Sequence, residues 1–233
     1  MANSKQTNKR NSQDKMKLIV LLSIVVIVAM VIVFLVIQPS NEPAPGSDST
    51  NMPVLTGQPT IGNADANVKI VEFGDYKCPG CKAWSQYVYP EVKKRWIDKG
   101  VASLTFIHTN FHGEESRFGS TAAEALWEMN PDAFWPYMKT IYDRQPGEAS
   151  HNTVWITEEV VTELARKVAP DLNVDQWRTL RASDKIRARV QTDDELVRTF
   201  QVQKTPTIII NGTVLEDPFD LEMMQSLIDQ YKE

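Results

Sequence analysis

Both cysteines of this 233-residue chain fall in one tetrapeptide, Cys78-Pro79-Gly80-Cys81. Val68 to Phe73, just before it, is a near-continuous apolar run that suits a strand buried in a sheet. Lys82 to Asp98, just after it, carries Trp84, Val88, Val92 and Trp96 at helical spacing, and Gly100 stands where a helix stop belongs. Val101 to Phe111 then reads as a second strand. Strand, helix and strand in about 45 residues predict a βαβ unit with parallel strands. The two cysteines lie at the junction of its first strand and its helix.

That junction has a chemical consequence. Pro79 suits the first turn of a helix, where a missing N–H is no loss. A Cys78 thiolate would then face the free N–H groups of Gly80 and Cys81 and the positive helix end. Such placement lowers a cysteine pKa from about 8.5 to roughly 3.5–7.5, which favours the reduced form and makes the disulfide a stronger oxidant. Cys78 is the expected attacking sulfur, and Cys81, one turn inward, the resolving one. Zinc is an alternative, with His108, His112 and His151 as the available imidazoles. However, a structural zinc site usually pairs two such motifs, and His108 and His112 on a strand would share a face without converging. A purely structural disulfide is a further alternative, but so short a loop closes little chain entropy.

The rest of the chain sets the context. Leu18 to Ile37 holds one Ser and no charged residue, Gly or Pro. As a helix it would span about 30 Å, the thickness of a bilayer's hydrocarbon core. Residues 1–38 carry five basic side chains and one acidic, a net +4, and the remaining 20 basic and 29 acidic residues give −9. The positive-inside rule then keeps residues 1–17 as a cytoplasmic tail, makes 18–37 a single-pass cell-membrane anchor and places the body outside. No small-residue cleavage site follows the span, so it reads as retained. An acidic body excludes a nucleic-acid partner, because phosphate contacts need clustered Lys and Arg. Residues 38–60 are rich in Pro, Ser, Asn, Gly and Thr and read as a flexible linker, and the folded body follows over 61–233.

Beyond the βαβ unit the periodicity turns helical, at about 114–200. Helices are expected from Ser120 to Met129, from Pro131 through Tyr142, after an N-cap at Thr157, after another at Asn173, and from Asp184 to Phe200. Trp127, Phe134, Trp135, Tyr137 and Trp155 read as core. Thr207 to Leu215 then surrounds Asn211-Gly212 with β-branched residues, a strong hairpin signal, and an amphipathic helix closes the chain from about Leu221 to Tyr231. The predicted fold is α/β, with the order βαβ, helical insert, ββα.

Val71-Glu72-Phe73-Gly74-Asp75-Tyr76-Lys77-Cys78-Pro79-Gly80-Cys81 resembles the active-site strand and motif of DsbA-like proteins, thiol–disulfide oxidoreductases of the thioredoxin superfamily. The resemblance extends to Ile107–Phe111, to Thr205-Pro206-Thr207 and to the helical insert, and the single-span anchored form is similar to that of Gram-positive bacteria. It implies a thioredoxin fold with an inserted helical subdomain, preceded by one transmembrane helix. It further implies that Pro206 follows a cis bond and lies against Cys78 and Cys81, with the Thr205 backbone offered to an extended substrate. Glu72 takes the place of a buried acid near Cys81, able to accept its proton; an exposed strand Glu is the alternative. Two departures stand out. Relatives often carry Lys where this chain has Phe106, and the best-known oxidants carry His in place of Gly80, which puts a very oxidising potential in doubt. Lys77 and Lys82 could partly compensate, although solvated surface lysines are the simpler reading. Some members hold a structural calcium whose ligands the sequence does not assign; Asp193, Asp194 and Glu195 form no EF-hand pattern. No other cofactor is implied beyond the redox-active disulfide.

The implied activity is disulfide donation to unfolded secreted or surface proteins bearing thiols, with reoxidation by a membrane quinone-linked partner. A reductase, for example in cytochrome maturation, and a tethered binding or chaperone module with a structural disulfide are the alternatives.

Overall fold

The computed structural model of the chain describes Leu21, residues 52–146 and residues 152–232. The tail at 1–17, the apolar span at 18–37 apart from Leu21, the linker up to residue 51, and His151 lie outside the described residues. Among the described residues no helix is long and apolar enough to cross a membrane.

Strand β2 (Val68–Gly74) and strand β3 (Ala102–His108) pair in parallel, with Ile70 opposite Leu104. Strand β1 (Thr60–Gly62) lies antiparallel outside β3. On the other side of β2, strands β4 (Thr207–Ile210) and β5 (Thr213–Val214) complete the antiparallel side, giving the order β1-β3-β2-β4-β5. Asn211 and Gly212 both take positive φ, as the two-residue turn between β4 and β5 requires.

The period of two along β2 decides what each face holds. Val68, Ile70 and Glu72 point to one face, Val71 and Phe73 to the other. The first face joins the large core with Trp84, Phe106, Leu126, Phe134 and Met138. The second packs a smaller core with Ile107, Val202 and Ile209, flanked by Leu196, Val197 and Phe200.

The helix expected over Lys82–Asp98 is divided. Helix α1 (Pro79–Tyr87) is followed by α2 (Tyr89–Val92) and then by a π-turn over Lys93–Ile97. Pro90 has no N–H to donate to the Gln86 carbonyl, so the ladder breaks at that point. The wider turn still buries Trp96 and Ile97.

Five helices form the insert: α3 (Glu114–Met129), α4 (Pro131–Arg144), α5 (Glu158–Val168), α6 (Val174–Arg181) and α7 (Asp184–Thr199). Thr157 and Asn173 cap α5 and α6 through their side chains, as their positions predict. Phe134, Trp135 and Tyr137 are buried, and Trp127 and Trp155 pack at the edge of the core. Helix α8 (Leu221–Tyr231) ends the chain, its first turn capped by Asp220.

Three boundaries differ from the sequence reading. Strand β3 stops at His108 rather than Phe111, because its partner β2 ends at Gly74 and the chain then turns at Asn110–Gly113. Helix α3 starts at Glu114 rather than Ser120; its first turn is polar and shows no apolar period. The linker read over 38–60 gives way to packed chain by residue 52. Met52 and Leu55 pack on the smaller core, Pro59 O accepts from Phe106 N, and Thr60–Gly62 is a strand too short to show alternation.

Candidate active site

Cys78 occupies the N-cap of α1 in extended conformation, with Pro79 in the first turn, as the sequence predicts. Its side chain remains slightly accessible at 8% exposure, while Cys81 is fully enclosed. Both are free thiols. A hydrogen bond from the Cys81 thiol is the strongest influence on Cys78. Burial opposes it, but the Thr205 side chain and the N–H groups of Cys81 and Gly80 add to it, and the Cys78 pKa is held down to about 6. Cys81 moves the other way. Burial pushes its pKa well up, the hydrogen bond to Cys78 and the charges of Cys78 and Glu72 push further, and Asp75 N, 3.5 Å from its sulfur, opposes them.

Thr205 and Pro206 close the site from β4. Their peptide bond is cis. Cys78 Sγ lies 3.2 Å from Thr205 O in donor geometry. Gly80 sits beneath this segment: a Cβ there would stand 3.2 Å from Pro206 Cδ, 3.4 Å from Thr205 O and 3.5 Å from Cys78 Sγ. The site thus gathers Cys78, Cys81, Pro79, Gly80, Thr205 and Pro206 from two elements 127 residues apart.

Glu72 is fully buried on the Cys81 face of β2, which excludes the exposed-strand alternative. Neither carboxyl oxygen has a hydrogen-bond partner, and burial, followed by the charge of Cys78, pushes its pKa well above the usual carboxylate range. Phe106 explains the missing partner. Its ring presses so closely on Gly74 that a Cβ at that position would come within 2.5 Å of it, and it stacks on Tyr76 at 5.8 Å.

Four residues that the sequence did not single out complete the site. Asp75 is buried and its Oδ1 accepts from Lys77 N and Ser116 Oγ, both at 2.8 Å. Its Oδ2 accepts from His112 Nδ1 at 2.8 Å and His112 N at 3.3 Å. Gln145, at the end of α4, donates its amide to Tyr76 O and Cys78 O, while its own carbonyl receives Lys82 Nζ. Glu115 pairs with Lys77. The two lysines are therefore not solvated surface charges: Lys77 is 5% exposed, and Lys82 is half-buried and engaged.

Among the described residues, neither His108 nor His112 joins the cysteines in a group of three or more potential metal donors. Among the described residues, the one group of potential metal donors joins His108, Glu124 and Asp193, all buried and within 4.8 Å of one another. Calcium takes six to eight oxygen ligands. Here His108 Nδ1 stands between the acids, 3.0 Å from Asp193 Oδ2 and 3.3 Å from Glu124 Oε1. Arg189 Nε takes Glu124 Oε2 at 2.6 Å and Gln58 Nε2 takes Asp193 Oδ1 at 2.7 Å. Two carboxylates thus meet two cationic side chains and have most of their oxygens engaged, a donor set that does not fit calcium.

Burial pushes His108 down, but the hydrogen bonds and charges of Asp193 and Glu124 outweigh it and lift its pKa from 6.5 to about 9. A raised folded-state pKa means stabilisation fully present below the unfolded value and lost as pH rises through the folded one. Tm is expected to fall between pH 6.5 and 9, and His108→Gln to flatten that dependence; equal slopes in the two proteins would refute the assignment.

A slightly accessible, acidified thiol paired with a fully enclosed one of raised pKa, at the junction of a βαβ strand and helix and beside a cis-proline loop, defines a thiol–disulfide oxidoreductase of thioredoxin fold. The comparisons agree. A family model described as thioredoxin matches residues 55–230. Disulfide bond formation protein D of Bacillus subtilis is 32% identical over 198 residues, covering 82% of this chain and 85% of its own. The probable disulfide bond formation protein D of Bacillus anthracis is 32% identical over 212 residues, covering 91% and 94%. The crystal structure of oxidised BdbD from Bacillus subtilis superposes with a TM-score of 0.71 at 32% identity, covering 78% of this chain and 96% of that one. The chain belongs to the thioredoxin family, among its DsbA-like thiol–disulfide oxidoreductases.

Proposed function

We propose that the protein donates disulfides outside the cytoplasm, to secreted or surface proteins that still carry free thiols. The observation that carries this direction is the place of Cys78 at the N-cap of α1, where the Cys81 thiol and the N–H groups of Cys81 and Gly80 favour the thiolate and hold its pKa down to about 6. Stabilising the thiolate stabilises the reduced protein, so its disulfide gives up bonding more readily.

In the oxidised protein a substrate thiolate attacks Cys78 Sγ, the more exposed sulfur. A new S–S bond forms, the Cys78–Cys81 bond breaks, and Cys81 leaves as a thiolate that takes up a proton. Glu72, kept protonated by burial, is the group placed to exchange that proton on the Cys81 face of β2. A second substrate thiolate then attacks its own sulfur in the mixed disulfide and releases Cys78, whose charge the N-terminus of α1 receives. The substrate loses two electrons and two protons; the cysteine pair gains both electrons and one of the protons, on Cys81, and the other proton goes to solvent. The Thr205 backbone, beside Cys78 and at the start of β4, suits an extended substrate segment.

The apolar span at 18–37 supports a membrane anchor with the body outside, and the reduced pair then needs a quinone-linked membrane partner to take its two electrons. The test is the reduction potential measured against glutathione. A value well above thioredoxin's, about −270 mV, is expected; one at or below it favours the reductase reading.

A further inference from the structure

Asp75 is bonded to both halves of the exchange site. Its backbone O accepts from Cys78 N at 3.0 Å and its backbone N approaches Cys81 Sγ at 3.5 Å. Its buried carboxylate, on the residue whose backbone touches both cysteines, would alone work against a thiolate there. Two neutral donors, Lys77 N and Ser116 Oγ, satisfy Oδ1 without cancelling its charge. The Lys77 ammonium is committed to Glu115. His112, held on Oδ2 through both Nδ1 and its backbone N, is the side chain that can cancel it.

We propose that His112 is a positioning residue of the exchange reaction: clasped by Asp75, its imidazolium neutralises the carboxylate behind the cysteines and favours the Cys78 thiolate. The charges acting on His112 include those of Asp75, Cys78 and Lys77, and their net effect agrees. The hydrogen bond to Asp75 raises the His112 pKa first, burial opposes, the charges of Asp75 and Cys78 raise it further, and Lys77 lowers it. Attraction between His112 and Cys78 is mutual, so whatever Cys78 does for the imidazolium the imidazolium does for the thiolate. His112 comes from the turn after β3, 34 residues from Cys78 in sequence, which is why the motif itself gives no sign of it.

This inference rests on the exchange reading of Cys78, and its test separates the two. The pH dependence of Cys78 alkylation by iodoacetamide is measured in the reduced Cys81→Ala background, with and without changes at His112. His112→Gln keeps a donor for Asp75 but loses the charge, and is expected to move the midpoint up by about one unit. His112→Lys keeps the charge and is expected to restore much of the shift. Ser116→Ala removes a neutral donor from the same carboxylate and is expected to leave the midpoint in place. An unmoved midpoint in His112→Gln, or an equal shift in Ser116→Ala, overturns the proposal, because the role would then be structural. Should His112→Gln not fold, a His112→Lys protein with its midpoint raised by a full unit overturns it as well. A reduced wild-type protein, with Cys81 in place, whose Cys78 ionises only above pH 8 would instead sink the exchange reading, and the His112 comparison in the Cys81→Ala background would remain interpretable.

Discussion

Cys78→Ser is expected to reduce the oxidative refolding of reduced, denatured RNase A to its uncatalysed rate and to form no mixed disulfide with oxidised glutathione, while Cys81→Ala, equally without a disulfide to donate, still attacks oxidised glutathione through Cys78, releases one glutathione thiol and holds the mixed disulfide. The asymmetry follows from the two environments. With a pKa of about 6, Cys78 is mostly thiolate at pH 7, roughly thirtyfold more than a free cysteine at about 8.5. Cys81 is fully enclosed and held as a thiol. Serine at position 78 is neither ionised at neutral pH nor able to form the S–S bond. Alkylation of reduced protein should be half-maximal near pH 6 and fall as pH drops through that value, since the thiolate is the reactive form. Refolding activity surviving in Cys78→Ser, or a midpoint above pH 8, would leave the cysteine pair as a mere staple and point to a binding module.

Glu72→Leu should make the protein more stable and a poorer catalyst together. The carboxyl is fully buried and neither oxygen is hydrogen-bonded, an arrangement that costs about 1–3 kcal/mol relative to an apolar side chain of similar size. Leucine removes that cost and extends the apolar surface of Val68 and Ile70. The same change removes the group placed to exchange a proton with Cys81, and turnover is expected to fall by about tenfold or more. The two effects are read separately, by denaturant unfolding of the reduced protein and by the rate at which the oxidised protein forms a mixed disulfide with a thiol substrate. A variant of unchanged stability would mean that Glu72 is solvated or partnered in solution, and an unchanged rate of mixed-disulfide formation would remove it from the reaction.

What the sequence disclosed follows from how local each signal is. The cysteines at a strand–helix junction, the Asn211-Gly212 turn, the caps at Thr157 and Asn173 and the span of α8 are set by residues within a few positions of one another, and all were legible. The burial of Glu72 was legible as one of two choices, because a fully buried strand loses the alternation that would tell in from out. Strand β1 is three residues long and exists only because β3 offers it an edge. Asp75, Glu115 and Gln145 carry no motif; apart from Lys77 N beside Asp75, their partners at the site lie 37 to 69 residues away and were brought close by the insert. Lys77 illustrates the resulting error: a lysine beside an exposed motif reads as solvated until Glu115 covers it.

The clasp made by Gln145 bears on how this catalyst could be rebuilt. The amide that fixes the carbonyls of Tyr76 and Cys78 belongs to the helical layer and not to the sheet. A minimal version cut down to the strands, α1 and α8 would keep every residue of the Cys-Pro-Gly-Cys signature and yet lack the hand that steadies it. The inserted helices are thus part of the tool rather than its casing, and exchanging them between relatives would carry redox behaviour along with shape.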